Sequence, residues 1–365
     1  KDKYELKPSD RINKMIDKLY ATNNYRLINY DIVQDNEKNY LKLNVTEDDT
    51  RFFLKFGLHY DEIFKTGLLL NATAKRLLFR NSTVSLDIIV GDQPRYYFNY
   101  FIDNGYIPGL GVYASGMSLD LKDNAGNIYE KWNWFRNEVF LQSIWRDKYA
   151  VGVGISNDYF DSKITGNADY DDSQNFLNPY AFIKSDTQDD RSFPTRGILL
   201  TAEGKVLDIL NKFDDGKTLQ AKINAQLNFP INSWLTYRLG LLGGFTIGDN
   251  VSPYYEYRLG GIFDQNLGNF VSFQGYQFGE AVAKNLLSAT NTLQFRVAKS
   301  YFVDANISIA NLFNDLNVDD ILHVSHSSAG VTAGYKSPFG QIKVNYSQPF
   351  KNKSGVLSVI LGHWF

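Results

Sequence analysis

Residues able to do acid–base or nucleophilic chemistry are few. Histidine occurs four times, at His59, His323, His326 and His363. His323 and His326 lie beside Ser325, Ser327 and Ser328, the residue types of a hydroxyl nucleophile activated by an imidazole. No Asp or Asn is placed to orient either ring, and the chain has no Gly-x-Ser-x-Gly elbow. The plainer reading is a polar loop. Asp169-Tyr170-Asp171-Asp172 and the carboxylates of 186–190 offer oxygen ligands for calcium, but such runs are more often solvated. Cysteine is absent, which removes disulfides, thiolate metal sites and cysteine nucleophiles together. No metal site, cofactor or catalytic residue is expected in this chain.

A different chemistry is written into Tyr257–Glu280, YRLGGIFDQNLGNFVSFQGYQFGE. Five glycines allow tight backbone paths, while Phe263, Phe270, Phe273, Tyr276 and Phe278 need somewhere to pack. Each large apolar side chain left in water costs roughly 1.5–3 kcal/mol. The segment is therefore expected to fold inward, with Phe273-Gln274-Gly275-Tyr276 at its tip. Gln274 would hydrogen-bond an inward polar group, Asp304 first and Arg196 or Arg296 next, and Gly275 would press against a wall.

The elements that must hold such a loop are strands of period two. In Gln341–Tyr346, Ile342, Val344 and Tyr346 alternate with Gln341, Lys343 and Asn345. The same alternation runs through 222–229, 292–297 and 303–309. Sixteen strands are expected, at 51–59, 65–75, 82–90, 95–103, 110–121, 134–145, 148–158, 178–186, 196–206, 216–229, 233–247, 286–298, 301–311, 326–336, 339–347 and 355–365. A soluble sandwich also alternates. Three features favour a membrane barrel: long strands, a polar face carrying full charges, and alternating short and long connections. Aromatics make up 15% of the chain, enough for two interfacial girdles. No apolar run approaches the about 20 residues a membrane helix needs. Net charge is -2, so no basic surface invites nucleic acid. The fold expected is an all-β transmembrane antiparallel barrel over 51–365, closing between its first and last strands, with apolar residues toward lipid.

Residues 1–48 differ. Ser9 or Asp10 caps a helix with Ile12, Ile16 and Leu19 at helical spacing, and strands follow at 25–33 and 39–45. Lys1 opens the chain directly, as in one processed or cut from something longer.

These motifs together resemble the BamA/TamA/two-partner-secretion transporter superfamily of outer-membrane barrels. The loop at 257–280 is similar to its inward-folded sixth extracellular loop, whose tip reads Val/Leu-Arg-Gly-Phe/Tyr. Phe193-Pro194-Thr195-Arg196-Gly197 and Phe302-Val303-Asp304 resemble two further stretches of those barrels. Read alone, 193–197 is a strand-entry turn. Residues 1–48 look like the last part, helix–strand–strand, of an α+β polypeptide-transport-associated (POTRA) domain. The final strand, with Leu357, Val359, Leu361, Trp364 and Phe365, looks like the terminal signal read in barrel assembly. One departure stands out: the superfamily's loop arginine is Gln274 here, so its ion pair with a lumenal carboxylate is lost.

The resemblance implies a bacterial outer-membrane barrel with its N-terminus in the periplasm. It would anchor, translocate or assemble an attached or partner polypeptide. Implied partners are outer-membrane lipid and lipopolysaccharide, the barrel assembly machinery, and a polypeptide substrate or fused N-terminal domain. A patatin-like phospholipase fusion has this POTRA-plus-barrel layout. A passive porin-like channel and a barrel phospholipase remain alternatives.

Overall fold

The computed structural model describes residues 25–35, 38–47, 50–122, 127–145, 148–164, 171–209, 218–248, 251–263, 267–316, 318–321, 323–351 and 354–362, with Ile12 and Ile16. The helix cap at Ser9 or Asp10, Leu19, Asp169, Tyr170, His363, Trp364 and Phe365 lie outside the described residues. The chain divides into two units, Lys1–Phe53 and Leu54–Phe365. In the first, β1 (Tyr25–Asp35) and β2 (Lys38–Glu47) form an antiparallel hairpin with Ile28 opposite Val45.

The strands of the barrel follow in chain order: β3 (Phe52–Asp61), β4 (Lys65–Lys75), β5 (Ser82–Gly91), β6 (Arg95–Ile102), β7 (Gly109–Lys122), β8 (Ile128–Trp145), β9 (Tyr149–Ile164), β10 (Asp171–Asp186), β11 (Gly197–Leu207), β12 (Thr218–Pro230) and β13 (Leu235–Ile247). Three short strands sit within the next connection: β14 (Tyr257–Leu259), β15 (Phe270–Val271) and β16 (Ala281–Ala283). The barrel resumes with β17 (Asn285–Ala298), β18 (Tyr301–Phe313), β19 (His326–Ser337), β20 (Gly340–Pro349) and β21 (Val356–Gly362). Sixteen of these, β3–β13 and β17–β21, close into one antiparallel barrel. Closure leaves no free edge in lipid, where each unpaired backbone group costs several kcal/mol. Among the described residues no helix is long and apolar enough to cross a membrane.

Alternation decides which side each residue takes. On β20, Ile342, Val344 and Tyr346 are exposed on the lipid side, whereas Gln341 and Asn345 are buried toward the lumen. On β17 and β18, Leu293, Ile307 and Ile309 face out, and Thr292, Gln294, Asp304 and Ser308 face in. Barrel closure joins β3 to β21 through Leu361–Tyr60 and Gly362–His59, the pairs found among the described residues.

Sequence periodicity underestimates β8, β9 and β10. The span 159–177 reads as a loop, yet β9 continues to Ile164 and β10 begins at Asp171. At about 3.3 Å per residue, strands this long project beyond the roughly 30 Å hydrocarbon layer. There the outer face is wet, so the apolar side chains turn inward. Trp132, Trp134, Phe160 and Phe176 are buried in the lumen, reversing the polar-in pattern below them.

Candidate functional site

The described parts of the connection between β13 and β17, residues 251–263 and 267–284, fold into the lumen. They are folded rather than extended. Pro253–Tyr255 makes a 3-10 turn, β14 pairs in parallel with β15, and β14 pairs antiparallel with β16. Gly261 and Phe273 form a bridge that closes the tip, with Phe273 N donating to Gly261 O at 2.8 Å and Gly261 N to Tyr276 O at 2.9 Å.

Two apolar contacts bury the loop. At its base, Tyr254 stacks on Phe160 with ring centres 4.6 Å apart and meets Trp132 edge-on at 5.0 Å. The Arg258 guanidinium lies 4.6 Å over the Trp132 ring. Nearer the tip, Tyr257, Leu259, Val271, Phe273 and Tyr276 pack with Leu286 and Ala310 of the wall.

Polar contacts orient what the apolar contacts hold. Gln274 is buried, and its Nε2 donates to Ser308 Oγ at 3.2 Å. Tyr276 Oη donates to Ser327 O at 3.4 Å, and its ring meets His326 at 5.1 Å. Gly275 has φ of 81°, and a Cβ there would stand 3.2 Å from Ser328 Cβ and 3.3 Å from Pro349 Cδ. On the opposite wall a buried ionic network receives the loop base. Arg136 Nε lies 2.9 Å from Glu138 and 3.0 Å from Asp158. Asp158 also accepts from Tyr255 Oη at 2.9 Å and Asn178 Nδ2 at 2.9 Å. Lys222 Nζ donates to Gly268 O. The loop is thus fastened to both sides of the barrel.

The partner expected first for Gln274 is not the one it has. Asp304 is taken by Arg238 of β13, whose Nη2 lies 2.6 Å from Asp304 Oδ2. Arg196 and Arg296 are elsewhere. Arg196 is largely exposed beside Asp189, at 3.9 Å, and Arg296 lies 5.7 Å over the Phe302 ring. The Gln274 amide, two bonds shorter in reach than an arginine, docks on Ser308, four residues along β18 from Asp304 on the same inward face. A cavity of about 180 Å³ lies beside the docked tip, lined by Arg238, Asp304, Asn306, Lys343 and Asn345 among others.

Turn 187–196 packs against the inner wall at the other end of the barrel. Phe193 stacks on Phe302 with ring centres 4.4 Å apart and planes 4° from parallel. Gln294 Nε2 donates to Pro194 O at 3.2 Å, and Lys336 pairs with Asp190. The stretch read as a strand-entry turn is therefore an inward anchor. Burial pushes the Asp190 carboxyl up, but Lys336 and the N–H groups of Phe193 and Ser192 outweigh it and hold it below the usual range. Asp189 is likewise held low, burial being outweighed by bonds from Thr195 and the Arg196 N–H.

Ser325 and His326 do meet, with Oγ 2.8 Å from Nδ1. The same hydroxyl accepts from Leu312 N at 3.0 Å and lies 3.3 Å from Ala310 O, so it caps a strand end. Leu357 and Leu361 of the last strand are exposed toward lipid.

By sequence, no curated protein matches the chain. Among solved structures it is similar to BamA from Haemophilus ducreyi lacking POTRA domains 1–3, at a TM-score of 0.70 and 15% identity, covering 98% of this chain and 79% of that one. It is also similar to CdiB from Acinetobacter baumannii (TM-score 0.58, 10% identity, 97% and 68% covered). A third similar structure is CdiB from Escherichia coli (TM-score 0.62, 10% identity, 96% and 71% covered). At these identities the likeness is one of fold. The family model of the OMP85 superfamily matches residues 39–365, and the chain belongs to that superfamily of outer-membrane barrels.

Proposed function

We propose that this barrel inserts polypeptide into, or passes it across, the bacterial outer membrane, with residues 248–284 as its resting plug. The observation that carries the reading is the fastening of that loop to opposite walls, by Gln274 on Ser308 and by Tyr255 on Asp158. A passive porin would have its lumen blocked by such a loop and gain nothing from it.

In this reading the hairpin β1–β2 is the end of a POTRA domain on the periplasmic side, where an arriving polypeptide first docks. Leu357, Val359 and Leu361, with Trp364 and Phe365, are the signal by which the assembly machinery places the chain itself. A hydrolase in the barrel has no comparable support, since Ser325 is engaged by backbone on both sides.

The test uses the absence of native cysteine. Gln274→Cys with Ser308→Cys, bridged by a disulfide or a short crosslinker, locks the tip to the wall. Reconstituted in liposomes, the locked barrel should fail to insert or pass a precursor polypeptide, and cleaving the bridge should restore it. Equal activity in the locked and free forms would remove the reading.

A further inference from the structure

Along β18 the inward residues run Ser308, Asn306, Asp304 and Phe302. Ser308 holds the loop tip through Gln274, and Phe302 holds turn 187–196 through Phe193. The two between them line the cavity of about 180 Å³ beside the tip. Asp304 is 6% exposed, and its Oδ2 takes Arg238 at 2.6 Å. Among the described residues its Oδ1 accepts no hydrogen bond. The Oδ1 atoms of Asn306 and Asn345 accept none either, and Arg238 Nε donates none. All four side chains line the same cavity. Buried polar groups are nearly always hydrogen-bonded, so four such atoms around one space call for a polar ligand.

A missing side chain gives the space its depth. Gly330 of β19 stands opposite Asn306. A Cβ there would lie 2.5 Å from Gln274 Oε1 and 2.9 Å from Asn306 Oδ1, so glycine is what leaves room for both amides.

Charge narrows the ligand. An anion would meet three acceptor oxygens, one of them a carboxylate's. A cation would join Arg238 and Lys343 around Asp304, the one carboxylate of the described lining. A neutral group carrying both donors and an acceptor suits what remains. A primary carboxamide has that set, two N–H donors and one carbonyl. One carboxamide, that of Gln274, already sits at the rim of this space and donates to Ser308.

We propose that this chamber binds a side-chain carboxamide, the Asn or Gln of a polypeptide engaged by the barrel. Asp304 and Asn306 accept its N–H groups, and Arg238 Nε donates to its carbonyl. The polypeptide origin rests on the function proposed above, whereas the carboxamide chemistry does not.

Disulfide tethering tests the chemistry directly. Ser272→Cys places a thiol at an exposed edge of the cavity in a chain with no native cysteine. The purified barrel is equilibrated with the symmetric disulfides of mercaptopropionamide, mercaptopropionate or cysteamine against rising mercaptoethanol. Mass spectrometry gives the fraction carrying each cap. The carboxamide cap should survive about tenfold more reductant than the carboxylate or ammonium cap, the factor supplied by one or two net hydrogen bonds. Thr332→Cys, which places the thiol on the wall side, should give the same order of caps. At Phe339→Cys, in the open, the three caps should be equal. Asn306→Ala, which removes one acceptor, should cut the carboxamide's advantage roughly threefold. Equal survival of the three caps at both cavity positions would overturn the proposal, as would an advantage that Asn306→Ala leaves untouched. No transport step enters the readout, so this test and the locked-barrel test can fail separately.

Discussion

Arg238 Nη2 lies 2.6 Å from Asp304 Oδ2, reaching past β17 from β13 to β18. The buried carboxylate therefore takes its cation from the barrel wall and not from the loop tip. Gln274, freed of that duty, docks on Ser308. Arg238→Gln should leave buried Asp304 without its contacting cation, with only the more distant Lys343 nearby, destabilising the barrel by about 3 kcal/mol or less. In that background Gln274→Arg should recover part of the loss by supplying a cation from the tip. Denaturant unfolding of the four proteins of this double-mutant cycle measures the coupling. Additive effects of the two substitutions would mean that the tip does not reach Asp304.

Removing the plug tests the lumen directly. Deleting 262–279 takes away β15, the tip and the Phe270 contact with Trp132 while leaving β13 and β17 intact. Single-channel conductance in planar bilayers should rise severalfold and lose its closed periods. An unchanged conductance would show that the path lies elsewhere.

The barrel was legible because a polar lumen and an apolar lipid face impose period two on every spanning strand. That rule fails where it should, above the bilayer. Trp132, Trp134 and Phe160 point inward to meet the loop, so the ends of β9 and β10 hide in a stretch dense in Asp. The inward loop was legible from aromatics that water would not hold. Its partners were not. Arg238 reads as one more lumenal residue, and only register places it diagonally from Asp304, with the whole plug loop lying between the two in sequence. Phe193 was hidden for a similar reason. Pro194 and Gly197 explain a turn well enough that nothing local points to the Phe302 ring.

Gly275 sits where the tip meets the wall, with positive φ and with Ser328 and Pro349 where a Cβ would reach. Gly275→Val adds a branched side chain in a conformation that costs about 1–2 kcal/mol even without neighbours. The tip should lift away while the barrel stays folded. Protease cleavage within 262–279 should speed up, and unfolding of the strands should be little changed. Wild-type protection of that segment in the variant would mean the tip is not docked as described.

The anchor formed by turn 187–196 should be insensitive to mild acid. Asp189 and Asp190 both have folded-state values below the usual carboxylate range. A depressed carboxylate contributes stability that is present above its unfolded value, near about 4, and is lost as pH falls through the lower folded value. The turn should therefore stay docked from neutral pH down to about 4 and release below that. Lys336→Met removes the cation that holds Asp190 low. Only the Phe193 and Ser192 N–H groups then remain against burial, the carboxyl rises, and release should begin at higher pH. Hydrogen exchange at the Phe193 and Arg196 amides, which bond to Asp190 and Asp189, reports each carboxylate separately. The substitution should shift the Phe193 profile upward in pH and leave the Arg196 profile in place. Coincident shifts of both amides would show that the turn releases as one unit. Absence of any shift would show that Lys336 contributes nothing to holding Phe193 against Phe302.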